Sequence, residues 1–335
     1  MNVRALFLQL NVGPPLNAIT IRHSVAVLLA IFVAWSQYVV PARGSLAPTP
    51  HPGFVAPVAA LIRQIPDRSA DALTGSQFAK SVQGMDTRER ERAVLRELLH
   101  GNMPTFLRRL VPVTLTAPSG RAKAATVFVM PDYLAIGSDV DFLRIPMNLE
   151  TASTIAAQFG FLLPTRRIVN AVYDQSAHHF VPEPLPAGPQ MSSTEYYRHH
   201  NELIDAQSRS MGVVPGTLVS GHKKDVVVTN LLARIPGRIA IYGWQRPGGI
   251  PIQPLSTVHG ACYEDYSHGI RLVSEIAWED GALRPVRDIL QDAVEARVLS
   301  DEGPIRSVFD RAGQPTAALT TFAPGLCSSG TRTGN

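Results

Sequence analysis

Gly221-His222-Lys223-Lys224-Asp225-Val226-Val227-Val228-Thr229 opens the part of the chain that decides its fold. A polar burst runs directly into a β-branched run, the composition that favours a strand. Further apolar stretches of strand length follow at Arg238 to Tyr242, Ile250 to Ile252 and Ile270 to Glu275, with Thr217 to Val219 just upstream. Pro236-Gly237 and Arg246-Pro247-Gly248-Gly249 lie between them and carry the backbone chemistry of tight turns. Short strands joined by such turns predict a mostly antiparallel sheet.

Helices are expected before this region. Asp86 is placed to cap a helix whose apolar positions Ala93, Val94, Leu95, Leu98 and Leu99 lie among arginines and glutamates. Val111 to Thr116 and Ala125 to Met130 flank Pro118-Ser119-Gly120 and read as a hairpin, and Pro131 to Gly137 reads as another short strand. Three helices follow, over Leu149 to Gln158, Thr165 to Ala177 and Ser192 to Ser208. Ser192 and Glu195 have the spacing of a capping box. After Glu279-Asp280-Gly281 turns the chain, Pro285 opens a last helix to about Val298. The expected class is α+β, a mostly antiparallel sheet with flanking helices and a helical N-terminal region.

Four spans organise the chain. Residues 1–45 read as a signal peptide or N-terminal membrane anchor, because Arg22-His23 precede the apolar run Ser24 to Trp35 and small residues follow Pro41. As an anchor, residues 18–40 would be a membrane tether. Residues 46–110 form a Pro-rich linker and helical region, 111–310 the α+β functional domain, and 311–335 a Gly/Ser/Thr-rich tail expected to be disordered. The leader implies an exported chain, whether periplasmic, cell-surface or secreted.

The chain has 335 residues, 45% of them hydrophobic and 17% charged, with a formal net charge of +4, which suits a globular body. The densest basic run, Arg88 to Arg96, is interleaved with Glu89 and Glu91, so it reads as a salt-bridged helix face. No basic-aromatic interleaving accompanies it, and no nucleic-acid partner is expected. Cys262 and Cys327 are the two cysteines, too few for a disulfide framework.

Chemistry concentrates between residues 221 and 271, which hold three of the ten histidines (His222, His259, His268) and two of the four lysines. Reactive polar groups at strand ends form the pattern of an active site, and equally that of a well-bonded surface loop. His268 or His259 is the expected acid/base, oriented by Asp265, with His222 and Asp225 completing the site. Side chains alternate along a strand, so Lys223 and Lys224 offer one inward and one outward amine. Lys223 or Arg271 would hold a substrate anion, and Trp244 would help wall a groove for sugar rings or peptides. Asp139 and Asp141 form a second candidate binding pair, for calcium or acid/base work, or else an Asx-type turn. The cofactor is open: His222, His259 and His268 with a carboxylate would make a divalent site such as zinc. No His-Glu-x-x-His run or closely spaced cysteine pair supports it, and no Gly-x-Ser-x-Gly elbow marks Ser267 as a nucleophile.

Ser267-His268-Gly269-Ile270-Arg271-Leu272, preceded by Ile241-Tyr242-Gly243 and His259-Gly260, resembles the signature region of the L,D-transpeptidases. Those enzymes cross-link peptidoglycan outside the membrane through a cysteine thiolate. The resemblance covers about thirty residues and departs where the family places its cysteine, between the His-Gly and the Ile/Val-Arg pair; here Gly269 runs directly into Ile270. Cys262 lies upstream of that position. More widely, Pro131 to Asp139, Gly221 to Val227, Pro251 to Leu255 and Asp265 to Val273 are similar to an exported bacterial family, which implies one functional unit without naming its chemistry. The expected function is an exported hydrolase or transferase acting on peptidoglycan or another glycan-linked envelope substrate. The alternative is a non-catalytic carbohydrate- or peptide-binding protein of the cell surface.

Overall fold

A computed structural model describes residues 62–118 and 123–305. The expected leader over 1–45, the expected tail over 311–335, and Cys327 lie outside the described residues. In chain order the body begins with α1 (Gly75–Ser81), α2 (Thr87–Leu99), the hairpin β1 (Val111–Thr116) and β2 (Ala124–Val129), then β3 (Ala135–Gly137) and β4 (Phe142–Arg144). Next come α3 (Leu149–Phe159), β5 (Phe161–Leu162), α4 (Arg166–Gln175), β6 (His178–His179), α5 (Thr194–Ser210) and β7 (Val219–Ser220). The chain continues through β8 (Lys224–Val226), α6 (Leu231–Arg234), β9 (Ile241–Arg246), β10 (Ile250–Ser256) and β11 (His268–Gly269). It closes with β12 (Val273–Glu279), β13 (Ala282–Pro285), α7 (Val286–Gln291) and α8 (Ala296–Leu299). The class is α+β.

Two sheets carry the body. The first runs β1-β2-β12-β13, with β5 also paired to β12, and is antiparallel throughout. Its centre is wholly buried through Val127, Val129, Val273 and Ala277. Each of the three valines contributes roughly 1.5–3 kcal/mol by full burial, so pairing β2 with β12 is driven by the core as much as by its hydrogen bonds. The second sheet runs β10-β9-β8-β11; β8 and β9 are antiparallel, whereas β8 and β11 are parallel. Residues 270–272 lead from β11 in one sheet to β12 in the other. Along the way Ile270 O accepts from Leu134 N at 2.8 Å and Leu272 O from Met130 N at 3.0 Å.

Local chemistry explains most boundaries. Asp86 caps α2 and Glu89 returns a bond to its backbone, a complete capping box. Asp280 and Gly281, at φ 49 and 84, make the two-residue turn between β12 and β13, where positive φ at both positions matches strand twist. Two expectations need correction. Helix α5 is capped by Ser193, whose side chain accepts from Tyr196 N, while Ser192 donates to Glu264 O in a distant loop. The last helix divides because Asp292 accepts from Val294 N and Glu295 N, starting a new turn at α8. Among the described residues no helix is long and apolar enough to cross a membrane.

Candidate functional site

Strands β8 and β11 place the polar bursts side by side, with His268 opposite Lys224 and Gly269 opposite Asp225. Gly269 is required there: a Cβ would stand 2.6 Å from Tyr133 Cδ1 and 2.8 Å from Lys223 Cβ. Side chains alternate along both strands, so the register separates the expected site residues into two sets.

The first set surrounds His268. This imidazole is fully buried, and neither ring nitrogen has a hydrogen-bond partner. Its Nε2 lies 3.8 Å from Asp265 Oδ2, within ion-pair reach though beyond a hydrogen bond. Asp265 is fixed by Ser267 N at 2.7 Å, by the Ser267 hydroxyl and by Tyr263 OH at 3.0 Å. Burial opposes its charge, but the neighbouring His268, the Ser267 bonds and Lys224 keep it ionised below its ordinary range. Burial pushes His268 down to about 4, against the pull of Asp265, so the ring is neutral at pH 7. Tyr263 meets His268 edge-on at 5.7 Å and stacks on His259 at 4.1 Å. Tyr263 and His259 are half-buried and form the outer cover of the pair. The half-buried Lys224 holds its ammonium 5.5 Å from the Trp244 ring centre. Trp244, expected to wall a groove, is itself buried and sits at φ 56 within β9.

The second set lies on the other side of β8. Tyr133 OH donates to Asp225 Oδ2 at 2.8 Å, and burial pushes Asp225 up to about 7. Arg271 stacks over Tyr133 at 4.5 Å and donates to Met130 O and Val219 O, both at 2.7 Å. Lys223 is fully buried and donates to Tyr266 O at 2.6 Å; burial pushes it down to about 7. His222 Nε2 pairs with Asp132 Oδ1 at 2.9 Å between the rings of Tyr133 and Phe180. Asp132 also accepts from Arg144 Nε at 2.9 Å. Lys223 and Arg271, expected at a substrate anion, are therefore tied to backbone carbonyls inside the body.

Asp139 and Asp141 are not brought to either set. Asp139 caps the turn beginning at Thr105, accepting from its backbone N at 2.6 Å, and Asp141 accepts from Ser76 N at 2.9 Å at the start of α1. His222 belongs with Asp132 while His259 and His268 gather around Tyr263. Among the described residues no group of three or more His, Cys, Asp or Glu side chains is arranged to hold a metal. Cys262 is disulfide-bonded and offers no free thiolate beside His259 or His268.

Sequence reasoning passed over a third group. Arg90 and Glu91 belong to the run read as a solvated salt-bridged face, yet both are buried. Arg90 Nη2 donates to Glu264 Oε1 at 2.6 Å and to Tyr197 OH at 3.2 Å. Glu91 accepts from Asn148 N at 2.8 Å; burial, then the charge of Glu264, pushes it up to about 8, while burial takes Glu264 to about 6. The available signal was helical spacing, since Arg90 shares its face with Ala93 and Val94. Glu264 precedes Asp265, so the Arg90 clamp anchors the loop that carries the histidine's carboxylate. His200 is also buried, 5.0 Å from the Tyr266 ring and 5.8 Å from Trp244. Adjacent helical residues point in different directions, and only His199 is exposed.

The body is α+β, and its buried His268 lies beside the Asp265 carboxylate. No family model, curated protein or solved structure matches the chain.

Proposed function

We propose that the chain is an exported hydrolase or transferase acting on peptidoglycan or a related glycan-linked envelope substrate, with His268 as its acid/base. The observation that carries this reading is the His268–Asp265 pair: a neutral imidazole with both nitrogens unpartnered, 3.8 Å from a carboxylate held ionised by three donors. His268 takes a proton from the attacking hydroxyl or water and returns it to the leaving group. Asp265 is a positioning residue that stabilises the imidazolium between those steps, closing its gap as charge appears. Lys224 faces the same side of the sheet and offers positive charge to the oxygen on which negative charge develops. Substrate reaches His268 when the Tyr263–His259 stack moves aside, and those rings then present flat faces to sugar. The substrate class is supported by the local resemblance to the L,D-transpeptidase signature and by the leader-like N-terminus.

The test is incubation of the purified full chain with isolated peptidoglycan sacculi, followed by chromatography and mass spectrometry of soluble fragments. Wild type releases fragments or alters cross-links, His268→Asn lowers the rate about 100-fold or more, and Asp265→Asn shifts its pH profile. An inert wild type refutes the substrate class, and an undiminished His268→Asn refutes the acid/base role. Enclosure of both His268 and Asp265 favours a second reading, a non-catalytic carbohydrate- or peptide-binding surface built on Tyr263 and His259. Under that reading the protein is retained on sacculi without cleaving them.

A further inference from the structure

A cavity of about 490 Å³ opens between α1, the β3–β4 hairpin, α5 and the loop over residues 213–217, and it shares no lining residue with the His268 set. This volume is in the range of small-molecule sites. Its floor is Arg144, which is 3% exposed. Asp132 holds the guanidinium Nε at 2.9 Å, and Asp205 and Asn201 hold Nη1 at 2.8 and 3.1 Å. Phe142 lies beneath the guanidinium carbon at 4.8 Å. Nη2 has no partner among the described residues, so a nine-tenths-buried cation presents an unused donor in a walled space.

The acids lining the cavity are all engaged. Asp132 accepts from Tyr133 N, His222 and Arg144; Asp205 accepts from Arg144 and Asn201. Asp141 accepts from Ser76, and Glu202 pairs with Arg198. Arg209, by contrast, is exposed and has no acidic partner among the described residues. Among the described residues, Arg144 Nη2 and Arg209 thus remain as guanidinium donors without an acidic partner in the cavity, beside the Ser208 and Thr217 hydroxyls. The rim is apolar: Val140 and Val214 are 94% and 66% exposed, and the walls include Phe106 and Phe180.

We propose that this cavity binds a monocarboxylate with a short apolar substituent, its carboxylate on Arg144 Nη2 and Arg209 and its apolar part against Val214 and Phe180. The four lining carboxylates, Asp132, Asp141, Glu202 and Asp205, stand against three guanidinium groups and disfavour a second ligand charge. A phosphate or dicarboxylate therefore binds less well than a single carboxylate.

The test is isothermal titration of the full chain with 4-methylpentanoate, with 4-methylpentanamide and inorganic phosphate as controls. The expected result is saturable binding of the carboxylate, weakened roughly tenfold by Arg209→Gln and unchanged by Arg246→Gln, an exposed arginine away from the cavity. The amide and phosphate bind at least roughly tenfold more weakly. Absence of saturable binding, equal binding of the amide, or the same loss in both arginine variants overturns the proposal.

Discussion

Glu91→Gln should stabilise the protein, and increasingly so as pH rises. Glu91 is buried, its Oε1 accepts from Asn148 N at 2.8 Å, and its Oε2 has no hydrogen-bond partner. Burial and then Glu264 push its carboxyl from 4.5 up to about 8. Between those two values the folded chain keeps a proton that the unfolded chain has released. Folding stability therefore falls with rising pH, by about 1.4 kcal/mol for each pH unit. The contribution is fully present below pH 4.5 and amounts to a loss of roughly 3–5 kcal/mol by pH 8. Glutamine keeps the acceptor for Asn148 and carries no charge, so Glu91→Gln removes this slope. Urea unfolding of both proteins at several pH values between 5 and 8 measures it. Near pH 5 the two should differ by less than about 1 kcal/mol, and by pH 8 the variant should be ahead by several kcal/mol. The difference curve reports Glu91 together with the Glu264 that it faces, and cancels the groups distant from both. If the two stability curves run parallel, Glu91 is not a buried acid held neutral and the reasoning fails.

Four further outcomes follow from the same structure. On the acid side, His222 and His268 are both pushed from 6.5 down to about 4, so the unfolded chain binds protons first. Their contribution is present above pH 6.5 and is lost as pH falls towards 4; a His222→Phe and His268→Asn double variant should flatten that limb in the same urea series. Gly269→Ala drives a methyl into Tyr133 and Lys223 and should cost about 1–3 kcal/mol, read as a lowered Tm. Tyr133→Phe removes the donor to buried Asp225 at a cost of about 1–3 kcal/mol, and an unchanged Tm would argue that the bond contributes nothing. Asp139→Ala and Asp141→Ala each lose a helix-start bond and about 0.5–2 kcal/mol, while leaving any activity on sacculi intact. A selective loss of activity in either would place those carboxylates at the site after all.

What was legible in the sequence followed from local rules. The hairpin β1–β2, the cap at Asp86 and the turn at Asp280-Gly281 are each written within a few neighbouring residues. By contrast Ile270 to Glu275, expected as one strand, spans the crossing from β11 and the start of β12, and the expected Val226 to Thr229 and Arg238 to Tyr242 only overlap the ends of β8 and β9. The division of residues 221–271 was not legible, because it depends on β11 lying parallel to β8, and no local pattern announces a parallel neighbour two residues long. That register places His268 with Lys224, and it puts Asp225 beside Tyr133 and Arg271. Burial of Arg90 was hidden for a related reason: its partner, Glu264, lies 174 residues away. Alternating charge on a helix reads as solvated unless the period also places an arginine over the apolar stripe. Asp139 and Asp141 misled because a carboxylate pair after a strand looks the same whether it awaits a ligand or accepts from distant backbone, and the N–H groups that they bind, at Thr105 and Ser76, lie far back along the chain.

The passage from β11 into β12 also bears on how the protein is made. β2 emerges from the ribosome early, but its second neighbour, β12, and the Arg271 that fastens to Met130 O lie 141 residues further on. Until that last stretch is synthesised, β2 has an open edge and Tyr133 has no arginine above it. The nascent chain therefore waits, half-assembled, for its C-terminal third before the first sheet can close. A chain ending before residue 273 would lack β12 altogether and leave that edge of β2 unpaired.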